Sequence, residues 1–285
     1  VDDGSETALA RNDSVDFHYE QTFNGGDKQG DPELVRTLVE NAWDGVEWLK
    51  ELGMEFQPGV FTVTGGMYER AHKPVEPEGS GFFKTYKAYM ESHDGITMKY
   101  NTTADSFIVE DGAVVGVECT GQTGNKVTVK ATNGVVLATG GFGQNVEMRE
   151  KYNAETKLWP TLDDSIPSTN TPAITGDGIR MAAGIGANTV GMEHIQLYPV
   201  NNPATGNYYY IDYARLNSTA LPVNKEGKRF VNELETRDVV SAAILEQTDG
   251  TCYLLFDEAV RESLKAIEGY ISAGIVEEGE TPEEL

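Results

Sequence analysis

The residues best suited to chemistry lie between Tyr198 and Arg237: Tyr198-Pro199, then Ile211-Asp212-Tyr213-Ala214-Arg215, then Asn224 to Glu233 (NKEGKRFVNE), and finally Thr236-Arg237-Asp238. Two arginines and a carboxylate are spaced so that short elements and turns can bring them together. The surrounding Tyr, Phe and Val suit a mostly closed pocket with a few fixed charges rather than an open solvated surface. Taken alone, Asp212, Arg215 and Arg237 read as an ordinary structural ion-pair cluster.

The rest of the chain narrows the classes. Its 46 acidic against 22 basic residues give a formal charge of −24 over 285 residues. Such a field repels phosphate backbones and excludes nucleic acid as a partner. No apolar run approaches the roughly 20 residues that span a bilayer. The four histidines, His18, His72, His93 and His194, are scattered without metal-ligand spacing, so no metal site is expected. His72 and Arg70 sit in a Gly-rich loop, Arg70 placed to help hold it. Cys119 and Cys252 stand in strand-like apolar contexts and read as two buried thiols. No hydroxyl has a readable base and orienter, so a serine-hydrolase reading has no support.

The elements that must position the cluster follow from periodicity. Residues 1 to 30 read as polar and irregular. From Asp31, a capping residue followed by Pro32, apolar residues recur at helical spacing as far as Leu52 and stop at Gly53. A second helix is expected over 82–92. The period then changes to two, predicting strands at 96–101, 106–109, 114–119 and 126–130, with turns at Asp111-Gly112 and at 121–125. The run Gly134-Val135-Val136-Leu137-Ala138-Thr139-Gly140-Gly141 reads as a strand buried on both faces that stops at glycines, where backbone can approach a ligand. Thr175-Gly176-Asp177-Gly178 opens a short helix whose N–H groups and dipole favour an anion. Short strands are predicted at 194–199, 208–213, 220–223 and 229–232, with Lys225 to Lys228 as a hairpin turn. A helix over 236–247, a strand over 252–257 and a helix from Glu258 follow. The chain ends at Thr281-Pro282-Glu283, the start of a helix, which leads us to expect a piece of a longer protein.

In order and spacing these segments resemble the fumarate-reductase-like flavoproteins, a family that includes soluble fumarate reductases, urocanate reductases and ketosteroid dehydrogenases. The resemblance rests on Asp31 to Val35 (DPELV), Arg70-Ala71-His72-Lys73-Pro74, Ala138-Thr139-Gly140-Gly141-Phe142, Gly176-Asp177-Gly178, the NKEGKRFVNE run and Thr236-Arg237-Asp238. It implies an α/β fold: a partial flavin-binding Rossmann-like domain with a β-meander over 1–190, and part of an inserted α+β capping domain over 191–285. The family's G-x-G-x-x-G fingerprint is missing, and so is the segment that brings a His and an Arg to the substrate carboxylate. A chain without them is expected to be inactive alone.

The resemblance also implies roles. FAD would contact Ala138, Thr139, Gly140, Gly141, Thr175, Gly176, Asp177 and Gly178, and Gly65-Gly66 would line the flavin or substrate side. In the family reaction a hydride passes from flavin N5 to the β-carbon of an enoate while an arginine, here Arg237, gives a proton to the α-carbon. Asp212 and Arg215 match the residues that return that proton. Fumarate reducers grip the second carboxylate with a His and a Thr, where this chain has Tyr198 and Ile211. That pair disfavours a dicarboxylate and suits a planar ring, with Asp212 accepting from a ring N–H, as in urocanate reductases. Fumarate, cinnamate-type acrylates or ketosteroids are the alternatives within the fold, and a non-catalytic flavin- or ligand-binding module is the alternative outside it. The electron donor would be a haem or flavin protein or domain, and several relatives work outside the cytoplasm.

Overall fold

The computed structural model describes residues 13–62, 68–77, 79–202, 204–207, 209–216, 220–281 and 284–285. Gly65-Gly66, Tyr208 of an expected strand, and Pro282-Glu283 of the expected terminal helix start lie outside them. The chain divides into two compact units, Val1–Lys99 and Tyr100–Leu285.

In the first unit, helix α1 (Val15–Gly25) corrects the expectation of an irregular start. Ser14 caps it by accepting from the Phe17 N–H at 3.1 Å, a signal that a polar, weakly amphipathic segment hides from periodicity. Helix α2 (Pro32–Glu51) is where its capping signals put it: Asp31 Oδ1 accepts from Glu33 N–H at 2.8 Å and Leu34 N–H at 3.3 Å. Val39 on α2 is fully buried, with Met54 just beyond the helix nearly so. Helix α3 (Ser80–Glu91) closes the unit. The loop carrying Arg70 is held as the sequence suggests. Arg70 forks onto Asp13, with Nε–Oδ2 at 2.7 Å, and Nη1 donates to Gln21 at 2.6 Å. His72 has a packing role, against Trp43 and Phe56.

The Arg70 hydrogen bond holds the Asp13 carboxyl at about 2, below its ordinary 3.8. A depressed carboxyl contributes stability that is fully present above its unfolded value and is lost as the pH falls towards the folded one. Asp13→Asn should therefore lower the thermal midpoint at pH 6, and its deficit against wild type should shrink between pH 4 and 2. A deficit independent of pH in a melting series would contradict this.

In the second unit, β1 (Thr103–Glu110), β2 (Ala113–Thr120) and β3 (Lys126–Lys130) form the expected antiparallel meander in the order β1-β2-β3. Asp111 and Gly112 both take positive φ, 50° and 79°, as a tight hairpin requires. Residues 96–101 are not a strand, because no described neighbour offers a ladder. The same reason corrects the strand expected from Gly134: the segment has no ladder partner among the described residues, and Val136 is 91 % exposed. Helix α4 (Val146–Thr156), which sequence periodicity does not mark, follows, capped by Asn145. Helix α5 (Asp177–Gly184) packs against β1.

Downstream, residues 194–199 have no ladder partner among the described residues, and Tyr210–Leu216 is a 3-10 helix rather than a strand. The reason is the Asp212-Arg215 pair. A strand would put residues three apart on opposite faces, whereas a 3-10 turn stacks i over i+3. The strand β4 (Leu221–Val223) pairs with β5 (Tyr253–Leu255), and 229–232 is reduced to one bridge, Val223 to Arg229. Helix α6 (Arg237–Leu245) and the short α7 (Glu258–Ser263) and α8 (Ala266–Ser272) complete the unit. Its core gathers Ile211, Ala214, Ala220, Val260 and Ile267. Both cysteines are free thiols, and burial pushes that of Cys252 up to about 11.

Candidate active site

Asp212 is the centre of the site, with a side chain that has no solvent exposure. Its Oδ1 accepts from Arg215 Nε at 2.6 Å. Arg215 is itself 3 % exposed, and its Nη1 donates to the carbonyls of Glu233 and Glu235. Among the described residues the second Asp212 oxygen, Oδ2, has no hydrogen-bond partner, and neither has Arg237 Nε, which faces it at 3.8 Å. Two buried polar atoms of opposite charge left just beyond hydrogen-bond distance are costly in a structural ion pair, where the gain from pairing depends on close geometry. The fold thus brings Asp212, Arg215 and Arg237 together from a 3-10 turn and the first residue of α6.

Tyr198 joins them. The Arg237 guanidinium lies over its ring, 5.0 Å from the centroid. The Tyr198 hydroxyl donates to the Tyr209 carbonyl at 3.0 Å. Burial raises the phenol's pKa, and the Asp212 charge adds to this, so Tyr198 is a neutral phenol at any working pH. Its extended segment is fixed by Trp159, whose Nε1 donates to Ile195 O at 2.9 Å. Trp159 is held in turn by the Asn153 side-chain amide, whose Nδ2 donates to Trp159 O at 2.9 Å and whose Oδ1 accepts from Trp159 N–H at 3.0 Å. Ile211 is not brought to this face: it belongs to the core and is 8 % exposed.

The two glycine clusters, far apart in sequence, are adjacent in space. Gly176 N–H donates to Gly141 O at 3.0 Å, and Gln144 N–H to Ile174 O at 2.9 Å. Gly178 is tight: a Cβ there would stand 2.1 Å from Thr139 Oγ1. Gly176 takes φ +79° and would meet the Met148 sulfur at 2.5 Å. These two glycines serve the docking of α5 on 137–142. Asp177 is bonded to Thr175 Oγ1 at 2.8 Å and Arg180 at 2.6 Å, which lowers its pKa. Ala138, Thr139, Gly140 and Gly141 are exposed, and no backbone N–H from Ala138 to Gly143 has a backbone acceptor among the described residues. A solvent-facing row of amide donors, with Gly141 leaving open space where a side chain would stand, fits the phosphates or ring edge of a dinucleotide such as FAD.

A cavity of about 230 Å³ runs from the glycine cluster to Tyr198: Gly141 to Gly143 and Arg149 line one side and His194 to Tyr198 another, while Asp212, Arg215 and Arg237 do not line it. Sequence reading missed Arg149. It is 6 % exposed and donates to Ile166 O and Asp163 O, and no pattern in α4 distinguishes it from a surface arginine. It also missed the backbone carbonyls of Tyr209 and Glu233, which accept from Tyr198 and Arg215.

Comparison with known proteins agrees with this architecture. The FAD binding domain family matches residues 4–280. Urocanate reductase of Eggerthella lenta is 42 % identical over 249 residues, covering 86 % of this chain and 40 % of that protein. NADH:acrylate oxidoreductase of Vibrio harveyi is 36 % identical over 293 residues, covering 96 % of this chain and 28 % of that protein. The open conformation of a flavocytochrome c3 fumarate reductase superposes with a TM-score of 0.78 at 32 % identity, over 99 % of this chain and 49 % of that one. The chain therefore spans less than half the length of each of these relatives. Its fold is α/β, and the chain belongs to the FAD binding domain family of flavoproteins.

Proposed function

We propose that the intact protein reduces the C=C bond of an enoate and that urocanate is its substrate, giving imidazole propionate. Residues 1–190 act as part of the FAD-binding domain and 191–285 as part of the cap. Bound FAD, once reduced by the electron donor, would supply the hydride for the β-carbon. Arg237 gives its proton to the α-carbon, and Asp212 with Arg215 returns one. An arginine deprotonates so reluctantly that the transfer works only with immediate return. The orphaned pair at 3.8 Å, Arg237 Nε and Asp212 Oδ2, is the observation that carries this reading: it leaves a gap across which a proton can be restored.

The substrate follows from donors and acceptors. A phenol has one proton, and that of Tyr198 goes to Tyr209 O, so Tyr198 offers a substrate carboxylate no donor. Ile211 supplies none either. A second carboxylate would be left poorly paired, at about 1–3 kcal/mol or more for a charged group. A planar imidazole can stack beside the Tyr198 ring, where it needs no second donor. The relatives named urocanate reductase and acrylate oxidoreductase support the enoate class.

With the intact protein and a reduced dye as electron donor, turnover of urocanate should exceed that of fumarate by about 100-fold or more, the discrimination of a site built for one set of hydrogen bonds. Acrylate and cinnamate should fall between them. Tyr198→His should narrow the ratio by restoring a donor. A preference of the unmodified protein for fumarate sinks the urocanate assignment, and failure to reduce any enoate sinks the reductase.

A further inference from the structure

Glu233 is a buried carboxylate outside the relay, 6 % exposed, and burying a carboxylate is costly unless it is paired. Its partner is Arg229: Nε donates to Oε2 at 2.9 Å and the second nitrogen, Nη2, approaches at 2.8 Å. The Arg229 side chain is 49 % exposed, so the pair joins the hairpin surface to the interior. Around Glu233 the backbone turns back on itself, with Glu235 N–H donating to Asn232 O at 3.1 Å and Asn232 Oδ1 accepting from Leu234 N–H at 3.3 Å. That turn aims two carbonyls, those of Glu233 and Glu235, at the same nitrogen, Nη1 of Arg215.

We infer that Glu233, through its ion pair with Arg229, is a positioning residue for the proton relay. A carbonyl only accepts, so the two converging carbonyls suit a permanently charged, immobile guanidinium. Arg215 is thereby gripped from both ends, by Asp212 at Nε and by the 232–235 turn at Nη1. With Oδ1 held by Arg215, Oδ2 is left as the oxygen that exchanges a proton with Arg237. Loss of the Arg229-Glu233 pair lets the turn relax, Arg215 shift and Asp212 rotate, and proton return slows while substrate binding does not change. The inference rests on the relay reading above.

The test uses the intact flavoprotein and four variants: Arg229→Gln, Arg229→Lys, Glu233→Gln and Arg237→Gln. Arg229→Gln and Glu233→Gln should each lower kcat by about tenfold, the size expected when a supporting shell misplaces a reacting group by a fraction of an ångström. KM and flavin content should stay as in the unmodified protein. The solvent deuterium isotope effect on kcat should rise, because proton return becomes slower, and Arg229→Lys, which keeps the charge, should recover most of the rate. Unchanged kcat in both Gln variants overturns the inference, and so does a fall in kcat without a rise in the isotope effect, which a purely structural role would give. Should Glu233→Gln lose flavin or fold poorly, Arg229→Gln decides alone, since its half-exposed side chain can be replaced without opening the interior. Full turnover in Arg237→Gln would instead remove the relay reading itself. A dead Arg237→Gln beside normal Arg229 and Glu233 variants removes only the positioning role.

Discussion

Arg237→Gln in the intact protein should cut enoate reduction by about 10²–10⁴-fold, the usual contribution of a positioned general acid. Arg237→Lys should be nearly as slow. A lysine keeps the charge but has a single nitrogen, whereas Arg237 both faces Asp212 Oδ2 through Nε and lays its guanidinium over the Tyr198 ring. Substrate affinity, measured by perturbation of the flavin spectrum on titration with urocanate, should change far less than the rate. Loss of binding in step with rate would make Arg237 a substrate clamp and leave the proton without a donor.

The second large effect is on folding. Asp212→Ala leaves Arg215, 3 % exposed, with two carbonyls but no counter-charge. Removing one partner of a buried pair typically costs about 3–5 kcal/mol, because the other charge stays buried and uncompensated. That is a sizeable part of the stability of a whole domain. Urea unfolding of the intact protein should show a lower midpoint for Asp212→Ala, and Asp212→Leu/Arg215→Met should recover much of the loss while remaining inactive. Equal midpoints for wild type and Asp212→Ala would mean that Arg215 finds another acceptor.

What the sequence made legible follows a physical pattern. The meander was readable because its pairing is local: each strand's partner is the next one, and Asp111-Gly112 marks the turn. Helix α2 was readable because its cap, its Pro32 and its apolar stripe agree. Gly134 to Gly141 was misread as a buried strand, because burial depends on what lies on either side of a segment. The 3-10 turn at Tyr210–Leu216 was misread because short apolar-aromatic runs carry no decisive period. The residue types of the site, Asp212, Arg215, Arg237 and Tyr198, could be named in advance. Their contacts could not: the donation of the Tyr198 hydroxyl to Tyr209 O and the grip of Glu233 O on Arg215 run through backbone carbonyls, which every residue possesses. Ile211 shows the converse, since its type suggested a pocket wall and its packing puts it in the core.

The bare amide row from Ala138 to Gly143, with Val136 91 % exposed just before it, bears on how this polypeptide behaves in the laboratory. An apolar segment with unused amide donors is a template on which another molecule's backbone can add. At high concentration, copies of this chain on its own should self-associate through that segment. Val136→Lys should keep them apart in sedimentation without touching Asp212, Arg215 or Arg237.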